Sequence, residues 1–111
     1  SSDLTVKLEQ TQDIVASAPA GIVRVAFAAE SDDLLANARI KLEGKGVDLI
    51  VANDITLPDA GFGRDTNKVW LVARDGETEL PLMSKYEVAM AILDHVAELL
   101  STNNPGSKGQ H

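Results

Sequence analysis

The sequence holds 111 residues, 44% apolar and 24% charged, which is one globular domain with a single core and excludes collagen-like, low-complexity and wholly disordered readings. No apolar run approaches the roughly 18–20 residues that cross a bilayer, no basic-then-apolar signal stretch opens the chain, and without Cys there is no disulfide framework or thiolate metal site. The net charge of −7 and the 4% aromatic content argue against a nucleic-acid binder, which needs a cationic surface and stacking platforms, but leave room for a local basic pocket for one small anion.

The lack of Cys agrees with a cytoplasmic location. The chain opens Ser1-Ser2-Asp3 rather than with Met, which fits a processed product, a tag scar or a piece of something longer. Over residues 3–9, Leu4, Val6 and Leu8 alternate with Thr5, Lys7 and Glu9, the period of a half-buried strand. Residues 13–18 read as a short helix with Asp13 at its N-cap or in its first turn, broken by Pro19-Ala20-Gly21. Residues 21–29 form a strand of mostly β-branched or small residues; such near-continuous apolar strands belong to parallel sheets covered on both faces. Residues 31–45 read as a helix. Ser31 is its N-cap, Asp32 and Asp33 lie in its first turn, and Leu34, Leu35, Ala38 and Leu42 form its stripe. Gly44 and Gly46 mark its exit. Residues 47–52 are a second buried-type strand, ended by Asn53 and Asp54. Strand, helix and strand within about 30 residues make a βαβ unit with a right-handed crossover.

Residues 55–66 are a loop rich in Pro, Gly and Asp. Residues 67–73 and 78–82 read as a hairpin around residues 74–77, where Asp75-Gly76 signals a tight turn. Residues 84–100 are the closing helix, with Ser84 and Glu87 as a capping box and Val88, Ile92, Val96 and Leu99 as its stripe. The expected fold is a three-layer, Rossmann-like α/β domain over residues 1–100 with a parallel βαβ core and an edge hairpin, followed by a flexible polar tail at 101–111.

Ligands of open parallel sheets sit beyond the C-terminal ends of the strands. If the two βαβ strands are neighbours, Phe27, Glu30, Asn53 and Asp54 line one rim there; the competing reading is that the three polar residues cap turns. Lys41 and Lys45, four apart, share one face of the helix beside its apolar stripe. They either point along the domain toward a pocket or offset the helix dipole. Gly61-Phe62-Gly63 lacks the third glycine and the following helix of a dinucleotide fingerprint; it is a turn or a cover over a ligand. His95 falls at the edge of the last helix's stripe, and Trp70 and Met83 read as packing residues. No His–carboxylate set has metal spacing, and no Ser has a nucleophile elbow.

The ordered motifs go further. VAFAAE at residues 25–30 precedes ARIKLEGKGVDLIVAND at 38–54, then GFGRDTN at 61–67 and LPLMSK at 80–85. In this order and spacing they resemble the C-terminal part of phosphopantothenoylcysteine synthetase, the phosphopantothenate–cysteine ligase half of the bifunctional bacterial flavoprotein of coenzyme A biosynthesis. The resemblance spans residues 4–100. It implies a ligase that uses CTP and Mg²⁺ to turn the carboxylate of 4′-phosphopantothenate into an acyl-cytidylate, which the cysteine amine then converts to an amide. It also implies nucleotide contacts from Phe27, Lys41 and Lys45, and from a short turn whose counterpart here is Asp13, Ile14 and Val15, with Thr11-Gln12 in place of the family's Asn-Pro. The resemblance favours phosphate contact over dipole pairing for the two lysines and keeps Asn53, Asp54 and Phe62 as rim candidates. It assigns no catalytic residue in this stretch.

Several parts of such a ligase have no counterpart in the sequence. These are the Gly-rich strand–helix turn, the Asn that holds the acyl intermediate, the mobile lysine-rich loop and the FMN-binding decarboxylase half. The expectation is therefore a carboxy-terminal fragment, inactive alone, from a parent that is a homodimer. The alternative is a non-catalytic α/β dimerisation or regulatory module on the same scaffold.

Overall fold

The computed structural model describes residues 4–8, 13–57 and 66–102. In chain order the elements are β1 (Thr5–Leu8), β2 (Ile14–Ala18), β3 (Gly21–Glu30), α1 (Leu34–Lys45), β4 (Leu49–Asp54), β5 (Thr66–Asn67), β6 (Val69–Ala73), β7 (Gly76–Glu79), β8 (Met83–Ser84) and α2 (Lys85–Thr102). Six strands form one sheet in the order β1-β2-β3-β4-β6-β7, and β5 with β8 makes a separate two-stranded ribbon. Only β3 and β4 run parallel among the described pairs; the others are antiparallel.

The strand–helix–strand unit forms as the sequence requires. α1 returns across one face of the sheet and buries Ala38 and Leu42 on Ala26, Ala28, Ile50, Ala52 and Val72. The run of alanines lets the helix backbone come close to the strands. α2 covers the opposite face, where Val88, Val96 and Leu100 meet Val23, Val25, Leu49, Val51 and Leu71. The expected three-layer α/β architecture is present, and the hairpin of β6 and β7 closes one edge.

The helix expected at residues 13–18 is a strand instead. Ile14 to Ala18 pair antiparallel with β3 and put Ile14 and Ala16 on the α2 side. A segment of six residues cannot repay helix nucleation, whereas β-branched Ile14 and Val15 suit a pleated strand beside a free edge. β1 alternates as predicted, but all four of its residues are exposed. Val6 and Leu8, opposite Ala16 and Ile14 on the α2 side of the sheet, lie exposed on its outermost strand.

α1 begins at Leu34, three residues later than predicted, and has no acid in its first turn. Asp33 takes the cap position in the left-handed region (φ 46°) with no side-chain cap bond. Ser31 and Asp32 are used in reversing the chain after β3, and Asp tolerates that conformation better than most residues. Gly46, at φ 65°, closes the helix as expected. β4 runs on through Asn53 and Asp54 rather than stopping before them. The hairpin turn is Arg74-Asp75, with Gly76 already paired to Ala73. The capping box of α2 is made: Glu87 N donates to Ser84 Oγ at 3.1 Å and Ser84 N to Glu87 Oε1 at 3.0 Å. The helix continues through Thr102, into the stretch read as tail.

Candidate functional site

The parallel pair sets Ala28 opposite Ala52, Ala29 opposite Asn53 and Glu30 opposite Asp54. The two strands are thus neighbours, with Glu30, Asn53 and Asp54 at their C-terminal ends. Glu30 and Asp54 share the α1 face, because directly opposed residues share a face. Asn53 and Phe27 lie on the α2 face, since Phe27 aligns with Val51 and Leu71 of the α2-side core.

On the α1 face both lysines are held by carboxylates. Lys41 Nζ donates to Glu30 Oε2 at 2.6 Å, and Lys45 Nζ lies 3.5 Å from Asp13 Oδ1. The four-residue spacing places both amines on the flank of α1 that overlooks β3 and β2. Glu30 is the one buried charged residue among those described, at 6% exposure. Asp54 closes its own turn: its Oδ1 accepts from Thr56 N at 2.9 Å and Thr56 Oγ1 at 2.6 Å. Asp13 falls just before β2, whose first residue pairs with Val25.

β2 follows β3 only as far as Val25. Beyond it, Ala26 to Glu30 have a strand partner on the β4 side alone among the described residues. Among the described residues this edge of β3, which we call the notch, is unpaired beyond Val25. The lysine–carboxylate pairs flank it on the α1 side. Phe27, nearly half exposed, flanks it on the other. The lysines and the ring are therefore on opposite faces of the sheet, and a ligand touching all three must pass over the edge of β3. Asn53 Oδ1, on the ring's side, is buried and has no hydrogen-bond partner among the described residues.

Ile14 packs into the α2-side core, so its side chain is committed there. Val15 pairs with Arg24 on the α1 side. Phe62, with Gly61 and Gly63, lies outside the described residues. His95 is partly buried and lines a shallow cavity of about 230 Å³ with Leu71, Leu80 and Glu98. Another cavity, of about 240 Å³, lies between α1 and the hairpin turn and is lined by Arg39, Leu42, Glu43, Gly46 and Arg74. Neither coincides with the notch.

Sequence reasoning missed the carboxylate partners of the lysines, because each pair joins elements whose neighbourhood the fold creates. The only available signal was the acid at the end of a strand followed, eleven positions later, by Lys41. It also missed Arg39, which ties α1 to the hairpin by donating from Nη1 to Ala73 O and from Nε to Glu77 Oε2, both at 2.8 Å. Lys68, which donates to Glu79 Oε2 at 2.6 Å and Leu80 O at 2.8 Å, was likewise unforeseen.

Comparison with known proteins places this geometry in a family. Residues 1–100 match the DNA/pantothenate metabolism flavoprotein C-terminal domain family. The coenzyme A biosynthesis bifunctional protein CoaBC of Bacillus subtilis is 44% identical over 100 residues, which cover 86% of this chain and 25% of that protein. CoaBC of Escherichia coli K12 is 36% identical over 106 residues, 92% of this chain and 26% of that protein. The crystal structure of the C-terminal domain of a CoaBC superposes with a TM-score of 0.56 at 36% identity, over 68% of this chain and 34% of that one. The chain spans about a quarter of the length of the curated relatives it matches.

Proposed function

This chain belongs to the DNA/pantothenate metabolism flavoprotein C-terminal domain family, and from that premise we propose that it forms part of the nucleotide site of a CTP-dependent phosphopantothenate–cysteine ligase in coenzyme A biosynthesis. In that reaction a carboxylate oxygen of 4′-phosphopantothenate attacks the α-phosphorus of CTP and pyrophosphate leaves. The cysteine amine then attacks the acyl carbon of the acyl-cytidylate. The amine gives up a proton, the amide forms and CMP departs. A carboxylate is a poor electrophile until its oxygen becomes a leaving group, and the enzyme must steady a polyanion while charge moves along it.

The observation that carries this reading is the notch. At the C-terminal end of a parallel pair, a strand edge unpaired among the described residues has two lysine ammonium groups on one side and an exposed phenyl ring on the other. Lysines meet a polyphosphate as point charges, and an aromatic ring offers a base a stacking surface. Asp13 acts on the α1 side through its carboxylate beside Lys45, while Ile14 and Val15, paired on both sides within the sheet, hold that end of β2 in place. Among the described residues no group of three or more His, Cys, Asp or Glu side chains gathers to hold a metal ion. Mg²⁺ commonly keeps water and substrate phosphates as ligands and would enter on the triphosphate. Phosphopantothenate and cysteine would be met mainly by the rest of a longer protein, a homodimer in this reading.

Titration of the ¹⁵N-labelled chain with CTP, ATP and pyrophosphate, each with Mg²⁺, tests the reading. CTP is expected to shift Phe27, Lys41 and Lys45 together, ATP less, and pyrophosphate the lysines alone. An identical response to all three leaves a generic anion site and removes the CTP assignment. The other reading, an interaction module, draws on β7 as an outermost strand and on the exposed Tyr86, Met90 and Leu93 of α2. It predicts association without any nucleotide dependence.

A further inference from the structure

Glu30 poses a question that stability does not answer. It is a carboxylate at 6% exposure, its side-chain partner is the Lys41 ammonium at 2.6 Å, and the residue opposite it, Asp54, carries the same charge. Like charges directly opposed across strands destabilise a sheet. Burying an ion pair is seldom better than packing apolar side chains of the same volume. The neighbouring sheet positions on this face, Ala26, Ala28 and Ala52, are filled by apolar residues, so an apolar side chain would suit the layer equally well.

The exposure of the pair is lopsided. The Glu30 side chain is 7% exposed and that of Lys41 is 41%. The acid is anchored and the amine reaches outward. An ammonium has three donors, and the Glu30 bond takes one. Lys45 differs: it sits 3.5 Å from Asp13, whose side chain is itself 20% exposed. One lysine is tied to a buried post and the other is loosely tethered. If Lys41 left Glu30 to follow a ligand, it would strand a buried charge without a partner, which is strongly unfavourable.

We propose that Glu30 is the positioning residue of the notch: its buried carboxylate fixes the Lys41 ammonium at the end of β3, so that Lys41 meets a phosphate already oriented while Lys45 adjusts. The proposal rests on the nucleotide-site reading above. Lys41 keeps its bond to Glu30 and turns its remaining N–H donors to the phosphate oxygens. An ammonium ordered before binding loses little freedom when the ligand arrives.

The test uses the 111-residue chain with CTP and Mg²⁺. In the wild type, NMR relaxation of the lysine side chains should find the Lys41 Nζ ordered before ligand is added and the Lys45 Nζ mobile; equal mobility of the two overturns the proposal without any variant. By calorimetry, Glu30→Gln should weaken CTP binding about tenfold, and Glu30→Asp, which keeps the charge, should restore part of the loss. In a Lys41→Met background Glu30→Gln should change affinity less than twofold, because its effect passes through Lys41. An equal loss in both backgrounds, or none in either, overturns the positioning role while leaving the nucleotide site intact. If the wild type shows no CTP response at Lys41, the nucleotide reading itself fails and takes this proposal with it. Should Glu30→Gln unfold the chain, the wild-type relaxation measurement still decides.

Discussion

Phe27 is an apolar ring left bare on a strand whose same-face neighbours, Val25 and Val51, are buried. Nothing about folding requires that exposure, and the ring is the sole aromatic at the notch among the described residues. Replacing it separates base recognition from phosphate recognition. Base–aromatic stacking is worth about 1–3 kcal/mol, so Phe27→Ala should weaken CTP binding about tenfold or more and leave pyrophosphate binding unchanged. Calorimetric titration of the variant with both ligands checks this; a parallel loss of both would mean that the ring supports the fold rather than the base. The lysines should behave in the opposite way. A charge-assisted hydrogen bond contributes about 1.5–3 kcal/mol, so Lys41→Met should reduce CTP and pyrophosphate affinity together by at least about tenfold. Lys45→Met should cost less, since its amine is the looser of the two. The same titrations rank them.

The helices show what element-level signals can and cannot specify. Gly46 ends α1 at φ 65°, and a Cβ there would meet nothing within 4 Å. Gly46→Ala therefore introduces backbone strain alone and should cost about 1–2 kcal/mol. Ser84→Ala removes the acceptor of the Glu87 N–H and should cost about 1 kcal/mol. Urea denaturation should show both as a lower midpoint with an unchanged slope. These two caps were legible because each depends on residues a few positions apart. The βαβ unit, the α2 stripe and the hairpin were legible for the same reason, their periodicity and turn chemistry being local. The fate of residues 13–18 was not. Their helical reading needed one acid before a short apolar run, and what decided the outcome was the free edge of β3, a partner supplied by the tertiary fold. Of the site, the residues of the rim could be named from strand ends, and their placement in register follows from the parallel pairing. That Phe27 faces away from both lysines follows from strand parity once β3 is aligned with β4. The pairing of Lys41 with Glu30 lay out of reach, since no periodicity encodes which acid a lysine across a layer will find.

At the scale of the whole molecule the dominant fact is charge. The chain carries −7, and the two lysines of the notch are each matched by a carboxylate, Glu30 and Asp13. The notch therefore has cations without a net positive charge, and a nucleoside triphosphate approaching without its metal is repelled by the protein as a whole. Binding should depend on the triphosphate arriving partly neutralised. Removing Mg²⁺ with EDTA is expected to weaken CTP binding by at least about tenfold. In the metal-free state, raising NaCl from about 20 mM to about 150 mM should partly restore affinity, because salt screens a net repulsion as readily as an attraction. Calorimetry across that salt range decides the sign. If metal-free affinity falls as salt rises, the local field of Lys41 and Lys45 outweighs the charge of the molecule, and their carboxylate partners do not neutralise them toward a ligand.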